Sequence, residues 1–352
     1  MNGAMKAQLQ AMLAAMGKAR GEVQPSAFWQ HLGKRNIEDL DLQGYANFKR
    51  TVALNYFTWV VNAEDSQLKF LTGHLSRLRV ELCRYRAKRA ANHDGFRSAL
   101  KLDAEQALTP DQVFHLNFLT YLLWSYASRH DASQVLKTVD EPLEGNPPLI
   151  FIGKKLISQD LANSALEFNS IMCGSVDRGG VRSILELGAG YGRTAYVFLK
   201  MLSDVRYIVA DIPPALGVAE EYLRNQFPDK KVFPFRDFSN YADVSGEFES
   251  SQIAFLLPSQ LELLPDKSVD MFINISSLHE MTHDQIAYYF GILERLVAHY
   301  FYLKAWKISH LPDKVTITES DYPFSTNWTR LFWRECPVQT EFFEALLQRK
   351  NV

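Results

Sequence analysis

Residues 184–192 read Ile184-Leu185-Glu186-Leu187-Gly188-Ala189-Gly190-Tyr191-Gly192, and the amphipathic run TAYVFLKML (194–202) follows at once. An apolar run, a glycine turn and a helical pattern in that order specify a strand, a tight turn and a helix. Glycine tolerates positive φ and lets the backbone approach a ligand closely, and the helix behind it offers unpaired N–H groups. The spacing narrows the ligand. A dinucleotide fingerprint is G-x-G-x-x-G, whereas here the third glycine comes one residue early and the acid Glu186 stands two residues before Gly188.

Outward from this turn, short β-rich runs alternate with helical ones. They are YIVADIP, ALGVAEEYLRNQF, VFPF, IAFLLP, VDMFINIS, DQIAYYFGILERLVAH and YFYLKAW, all beyond Gly180. Such alternation predicts βαβ units and a parallel sheet. TRLFWREC reads as a late strand and EFFEALLQR as a closing helix, although periodicity alone does not separate the two types. The second strand ends in Asp211, about 20 residues beyond Gly190, where a carboxylate accepts the two hydroxyls of a ribose.

Before about residue 170 the pattern is helical. Tyr45, Phe48, Val52, Tyr56 and Trp59 fall at steps of three and four, and LNFLTYLLWSYA (116–127) is apolar nearly all round. A packed core accounts for this aromatic stripe better than a carbohydrate-stacking platform. The arginines and lysine of 77–89 cover several helix faces and read as a solvated helix. Gly145, Pro147 and Pro148 cannot continue a helix and mark a boundary, giving a helical region over 1–150 and a second domain over 151–352.

Composition removes other classes. The 352 residues carry 38 Lys+Arg against 40 Asp+Glu, a formal charge of −2, so neither nucleic acid nor an anionic membrane surface is an expected partner. Three separated cysteines, Cys83, Cys173 and Cys336, make neither a disulfide framework nor a cysteine zinc site. No apolar run reaches the ~18 residues of a membrane span, and the Ala/Met/Leu stretch at the N-terminus is interrupted by Gln8 and Gln10. It reads as an amphipathic or frayed helix. A cytoplasmic protein is expected, and Asn327-Trp328-Thr329 reads as a coincidental sequon.

The motif Glu186 to Gly192 resembles the first motif of class I S-adenosylmethionine-dependent methyltransferases. The resemblance extends over SAFWQHLGKRNIEDL, GYANFKRTVALNYFTWVV, KLISQDLANS, IVADIPPAL, LPSQLELLPDKSVDMFINISSLHEM and PVQTEFFEALLQ. Over nearly the whole chain it is similar to a bacterial family of sugar O-methyltransferases found among surface-polysaccharide and glycoside genes. The resemblance implies a doubly wound, Rossmann-like, seven-stranded α/β sheet preceded by an all-helical region. It implies S-adenosyl-L-methionine as cofactor, held by Glu186, Gly188, Ala189, Gly190, Tyr191 and Gly192 at the loop and by Asp211 and Ile212 at the second strand. Pro258, Ser259 and Gln260 would form the adenine turn, where the family often has an acid and this chain has none. Asn274 and Ser276 would close the site from the fourth strand, and Gln159 would fold back over the methionine moiety.

Methylation of a hydroxyl asks for a base, because a sugar hydroxyl is a poor nucleophile at neutral pH. The fourth strand, VDMFINI, delivers Ser276, Ser277, His279 and Glu280 to the ligand end of the sheet; His279 is expected to take the proton, with Glu280 orienting it or taking its place. His283 is a further substrate candidate, but Thr282-His283-Asp284 also looks like a helix N-cap. Lys304, Trp306 and Tyr322 are candidates for the acceptor pocket. No spaced acidic set is visible and no metal is expected. The expected activity is methyl transfer to a sugar hydroxyl of a glycoside, nucleotide sugar or polysaccharide precursor. Rival readings are transfer to a non-sugar hydroxyl, a nicotinamide-dependent sugar oxidoreductase and an idle cofactor-binding scaffold. The helical region is expected to cover the acceptor side or to form a homo-oligomer interface.

Overall fold

A computed structural model describes residues 1, 3–55, 65–73, 109–172, 174–311 and 314–350. Tyr56, Trp59, Cys83, Cys173 and the basic run 77–89 lie outside the described residues. The chain divides into two compact units that are not contiguous in sequence. One holds Glu38–Ser170 with Met1 and Pro337–Thr340; the other holds Asn2–Ile37, Ile171–Cys336 and Glu341–Val352.

The described N-terminal residues form the helices Gly3–Gly17 (α1), Ala27–Gln43 (α2), Val52–Asn55 (α3), Asp65–Gly73 (α4) and Pro110–Arg129 (α5). The start of α5 is set by a capping box: Thr109 Oγ1 accepts from Gln112 N–H, Gln112 Oε1 accepts from Thr109 N–H, and Pro110 takes the first helical position. The stripe from Tyr45 is not one helix. Residues Tyr45–Arg50 make a 3₁₀ segment interrupted at Asn47, and Thr51 breaks it from α3. Phe48 and Val52 are nonetheless fully buried, as a packed core requires. The buried Lys49 ammonium pairs with the buried Glu141 carboxylate, which also accepts from Ser158 Oγ at 2.6 Å. Removing either partner would leave a charge stranded in the interior. A short hairpin, Ile150–Ile152 (β1) with Lys155–Ile157 (β2), completes this unit's strands.

The second unit is built on one eight-stranded sheet. Its strands are Ser183–Leu187 (β3), Arg206–Ala210 (β4), Val232–Phe233 (β5), Ile253–Leu256 (β6), Val269–Ile275 (β7), Val297–Trp306 (β8), Trp328–Glu335 (β11) and Phe342–Arg349 (β12). A separate hairpin pairs Ile308–His310 (β9) with Thr316–Thr318 (β10). The sheet order is β11-β12-β8-β7-β3-β4-β6-β5. Every pair from β8 to β5 is parallel, while β12 runs antiparallel to both β8 and β11. β3, β6 and most of β4 and β7 are buried on both faces and, apart from Ser183, Glu186, Asp270 and Asn274, are apolar, as parallel strands covered by helices must be.

This is a Rossmann-like α/β fold with two departures from the sequence expectation. The sheet has eight strands rather than seven, because the two residues Val232 and Phe233 extend the edge beside β6. EFFEALLQR forms β12, not a closing helix. Six consecutive residues, Phe342 to Leu347, are buried, so both faces of the strand are covered, and β8 and β11 pair with its two edges. Their helical propensity loses to that packing, since burying a large apolar side chain is worth about 1.5–3 kcal/mol and propensity differences only tenths.

The chain leaves β3 towards β4 and β6, then returns to the opposite side of β3 as β7. The switch point therefore lies between the C-terminal ends of β3 and β7, where ligands of open α/β sheets bind. Asn2–Ile37 folds with this sheet. Met12 of α1 packs beside Gly217 of the helix Ala215–Gln226, and Val23 is buried in the sheet's apolar core.

Candidate active site

The turn after β3 has the backbone that its glycines permit: Gly188, Gly190 and Gly192 have φ of 76°, 61° and 86°. At Gly188 the lack of a side chain is also a packing requirement. A Cβ there would overlap the Cβ and Oγ of Ser277, which follows β7. At Gly192 a Cβ would press on Leu223, so the helix Arg193–Met201 can sit close to its neighbour only with glycine at its start. Ala189 and Tyr191 are buried, and the Tyr191 ring meets Tyr222 edge-on at 5.6 Å.

Asp211 closes the loop from β4. Its Oδ2 accepts from Gly190 N–H and its Oδ1 from Ile212 N–H, both at 2.7 Å. Burial pushes its carboxyl up to about 7, against the pull of those two N–H groups. Asn274 ties the other side: its amide N–H donates to Leu187 O at 2.8 Å and its Oδ1 accepts from Leu278 N–H at 3.1 Å. One fully buried side chain thus fixes the end of β3 to the turn after β7. Ser276 holds a positive φ of 56°, an uncommon conformation for a residue with a side chain, and its N–H donates to Lys304 O at 2.9 Å.

Glu186 is buried, and Tyr207 of β4 donates its phenol to Glu186 Oε2 at 2.8 Å. Gln260 is likewise committed to the protein: its Oε1 accepts from Leu257 N–H and its amide N–H donates to Arg236 O. It clips the turn of Pro258 and Ser259 in shape, and buried Pro258 and half-buried Ser259 supply its surface. Gln159 belongs to the other compact unit, where it donates to Asp160 at 3.3 Å.

His279 and Glu280 follow β7 on a short 3₁₀ turn, Leu278–Glu280. His279 is buried against the rings of Trp306 and Phe342, each 6.0 Å away, and burial drives its pKa down to about 3. Its Nδ1 is buried with no hydrogen-bond partner among the described residues. Burial raises Glu280 to about 8; an indole N–H from Trp29 opposes the shift and the charge of Asp211 adds to it. Glu280 Oε2 is also buried without a hydrogen-bond partner among the described residues. At neutral pH the histidine is therefore a neutral, weak base, and the carboxyl titrates near the working range. The sequence reading ranked them in the opposite order, because it used the unperturbed histidine value.

The remaining candidates separate. Lys304 is buried on β8, with its ammonium 5.8 Å from the Phe342 ring centre, and Trp306 lies between His279 and Phe342. Both share the side of β12 that carries Phe342. Tyr322 packs on Phe343 and Phe290, and neighbouring strand residues point to opposite faces. Its place is the apolar core of the sheet rather than the cluster around His279, and its buried phenol has no hydrogen-bond partner among the described residues. His283 is exposed at the first turn of the helix His283–Leu296 (here α6), 3.7 Å from Asp321, while Thr282 forms the capping box with Gln285. Among the described residues no three His, Cys, Asp or Glu side chains gather to hold a metal ion, and no helix is long and apolar enough to cross a membrane.

Two contributors carried no role in the sequence expectation, Tyr207 under Glu186 and Trp29 on Glu280, while Ser277, expected at the ligand end of the sheet, packs against Gly188. Tyr207 lies on the strand Arg206–Ala210, just before Asp211. Trp29 gave no signal beyond being an aromatic in a helical segment.

No protein-family model matches the chain, and no curated protein matches it. Solved structures match in part. The mitomycin 7-O-methyltransferase MmcR is 14% identical over 54% of this chain and 56% of its own, with a TM-score of 0.36. A SAM-dependent methyltransferase from Aquifex aeolicus is 15% identical over 49% of this chain and 85% of its own, at 0.31. Magnesium protoporphyrin IX methyltransferase from Synechocystis PCC 6803, solved with bound SAM, is 12% identical over 55% of this chain and 83% of its own, at 0.37. This chain thus spans less than two thirds of the first. At these scores the likeness carries no argument, and the fold rests on the strand order and register given above.

Proposed function

We propose that the chain is an S-adenosylmethionine-dependent O-methyltransferase acting on a hydroxyl of a sugar, glycoside or nucleotide sugar. The observation that carries the reading is the loop at the switch point: three glycines at positive φ, Asp211 bonded to Gly190 N–H, and Ser277 filling the space that Gly188 leaves. A G-x-G-x-G turn with a following acid suits an adenosyl ligand without a pyrophosphate.

The residues present fit that group. Gly188 and Gly190 leave backbone free of side chains, and Asp211 is poised to exchange its two N–H partners for ribose hydroxyls. When bound, S-adenosylmethionine supplies an electrophilic methyl group. Glu280 takes the proton from the acceptor hydroxyl, and its unpartnered buried Oε2 is the atom that supports this role. With an ionisation near 8, it accepts a proton at neutral to mildly alkaline pH far better than His279 does near 3. His279, Trp306 and Phe342 form an apolar wall that excludes water beside the carboxyl. The partly exposed indole of Trp306 suits the apolar face of a pyranose.

Calorimetric titration with S-adenosylmethionine and with NAD tests the cofactor. A screen of nucleotide sugars and glycosides for S-adenosylhomocysteine release tests the acceptor. Binding of NAD alone would overturn the reading, and cofactor binding without turnover on any sugar, but with turnover on phenolic or other hydroxyls, would reassign the acceptor.

A further inference from the structure

The N-terminal segment is stapled across the end of the sheet that carries the glycine loop. Arg20 lies 3.7 Å from Glu262, Gln24 O accepts from Gln285 Nε2 at 2.8 Å, and Val23 is buried in the sheet's core. Further along, Gly33 runs beside the chain that follows Asp211: a Cβ there would meet Pro213 O at 3.8 Å. Between these contacts sits Trp29, whose indole N–H, the only donor of that side chain, bonds the Glu280 carboxyl.

We infer that Trp29 is a positioning residue: from the N-terminal segment it orients Glu280 and stabilises its carboxylate. This rests on the reading of Glu280 as the group that takes the acceptor proton. Among the described residues Glu280 Oε2 is buried without a partner, so the indole fixes the carboxyl while leaving Oε2 available to an incoming hydroxyl. The charged and titratable neighbours are His279, whose Nε2 is 3.8 Å from Glu280 Oε1, and Asp211 at the end of β4. A neutral His279 adds no positive charge, and an ionised Asp211 works against a second negative charge. The Trp29 dipole is thus the favourable interaction that brings the carboxylate within reach of neutral pH, and it comes from a segment about 250 residues away in sequence.

The test needs neither acceptor nor cofactor. The infrared band of a protonated carboxyl that disappears in Glu280→Gln is titrated in the unmutated protein and in Trp29→Phe, which keeps an aromatic ring and removes the N–H. The midpoint is expected to rise by about one to two pH units in Trp29→Phe. An unchanged midpoint, or no Glu280-dependent band at neutral pH in the unmutated protein, overturns the inference. Should Trp29→Phe not fold, the indole N–H resonances of the six tryptophans are followed with pH. One is expected to move with the Glu280 midpoint and to stop moving in Glu280→Gln; the absence of such a resonance overturns the inference equally. Loss of acceptor turnover with an unshifted midpoint would count against Trp29 alone. A shifted midpoint in a protein that never releases S-adenosylhomocysteine would support Trp29 and count against the methyltransferase reading.

Discussion

His279 Nε2 lies 3.8 Å from Glu280 Oε1, yet the two are not an ion pair at neutral pH, because burial lowers the histidine to about 3 and raises the carboxyl to about 8. Both groups are neutral between these values. The site therefore holds a protonated acid beside a neutral imidazole, and the acid is the group with chemistry near physiological pH.

Turnover on any accepted hydroxyl should rise with pH as Glu280 ionises and level off above about 8. Glu280→Gln should lose roughly 10²–10⁴ in kcat and retain cofactor affinity. His279→Gln should lose much less. Steady-state rates from pH 5.5 to 9.5 check this, and a loss confined to His279→Gln would return the base role to the histidine.

Cofactor affinity should depend on Asp211 in the same pH range. Ribose hydroxyls donate to the ionised carboxylate, so S-adenosylmethionine should bind more tightly as pH rises through about 7. Asp211→Asn should weaken binding by about 1.5–3 kcal/mol and flatten the pH dependence. Calorimetry at pH 6, 7 and 8 with both proteins measures the difference.

Stability should also report the buried histidine. Its folded pKa lies below the ordinary 6.5, so the unfolded chain binds the proton first as pH falls. Its contribution is complete above 6.5 and is lost progressively down to about 3, by at most about 5 kcal/mol. Replacing His279 with Gln should flatten the acid side of the stability curve in urea unfolding at pH 4–7; parallel curves would show that His279 does not carry the effect.

Gly188→Ala should destabilise the protein by roughly 2–4 kcal/mol, from positive φ together with overlap on Ser277. In the Gly188→Ala, Ser277→Gly double variant the overlap is gone and the φ strain remains, so about half of the loss should return. Denaturant midpoints of the three variants separate the terms.

A protein begun at Asn146 should not behave as an independent cofactor-binding domain. It lacks α1 and the segment around Val23 that fold with the sheet, and deletion uncovers the apolar surface beneath them. Aggregation or loss of S-adenosylmethionine binding is expected; a soluble fragment with full affinity would show that Asn2–Ile37 is dispensable.

The glycine turn, the acid at Asp211 and the alternation of strands and helices were legible because each depends on local rules: glycine at positive φ, apolar runs of strand length, and a helix N-cap at Thr282. Non-local contacts decided the rest. Phe342 to Leu347 became a strand because β8 and β11 pair with both its edges while its two faces are buried, and Val232 and Phe233 joined the sheet because β6 offered an edge. The acidities of His279 and Glu280 were set by what covers them, and Trp29 reached Glu280 only because residues 2–37 pack with a sheet formed from the other end of the chain. Desolvation and partner choice are properties of the folded surroundings, so residue type and spacing could name this pair but not assign its roles.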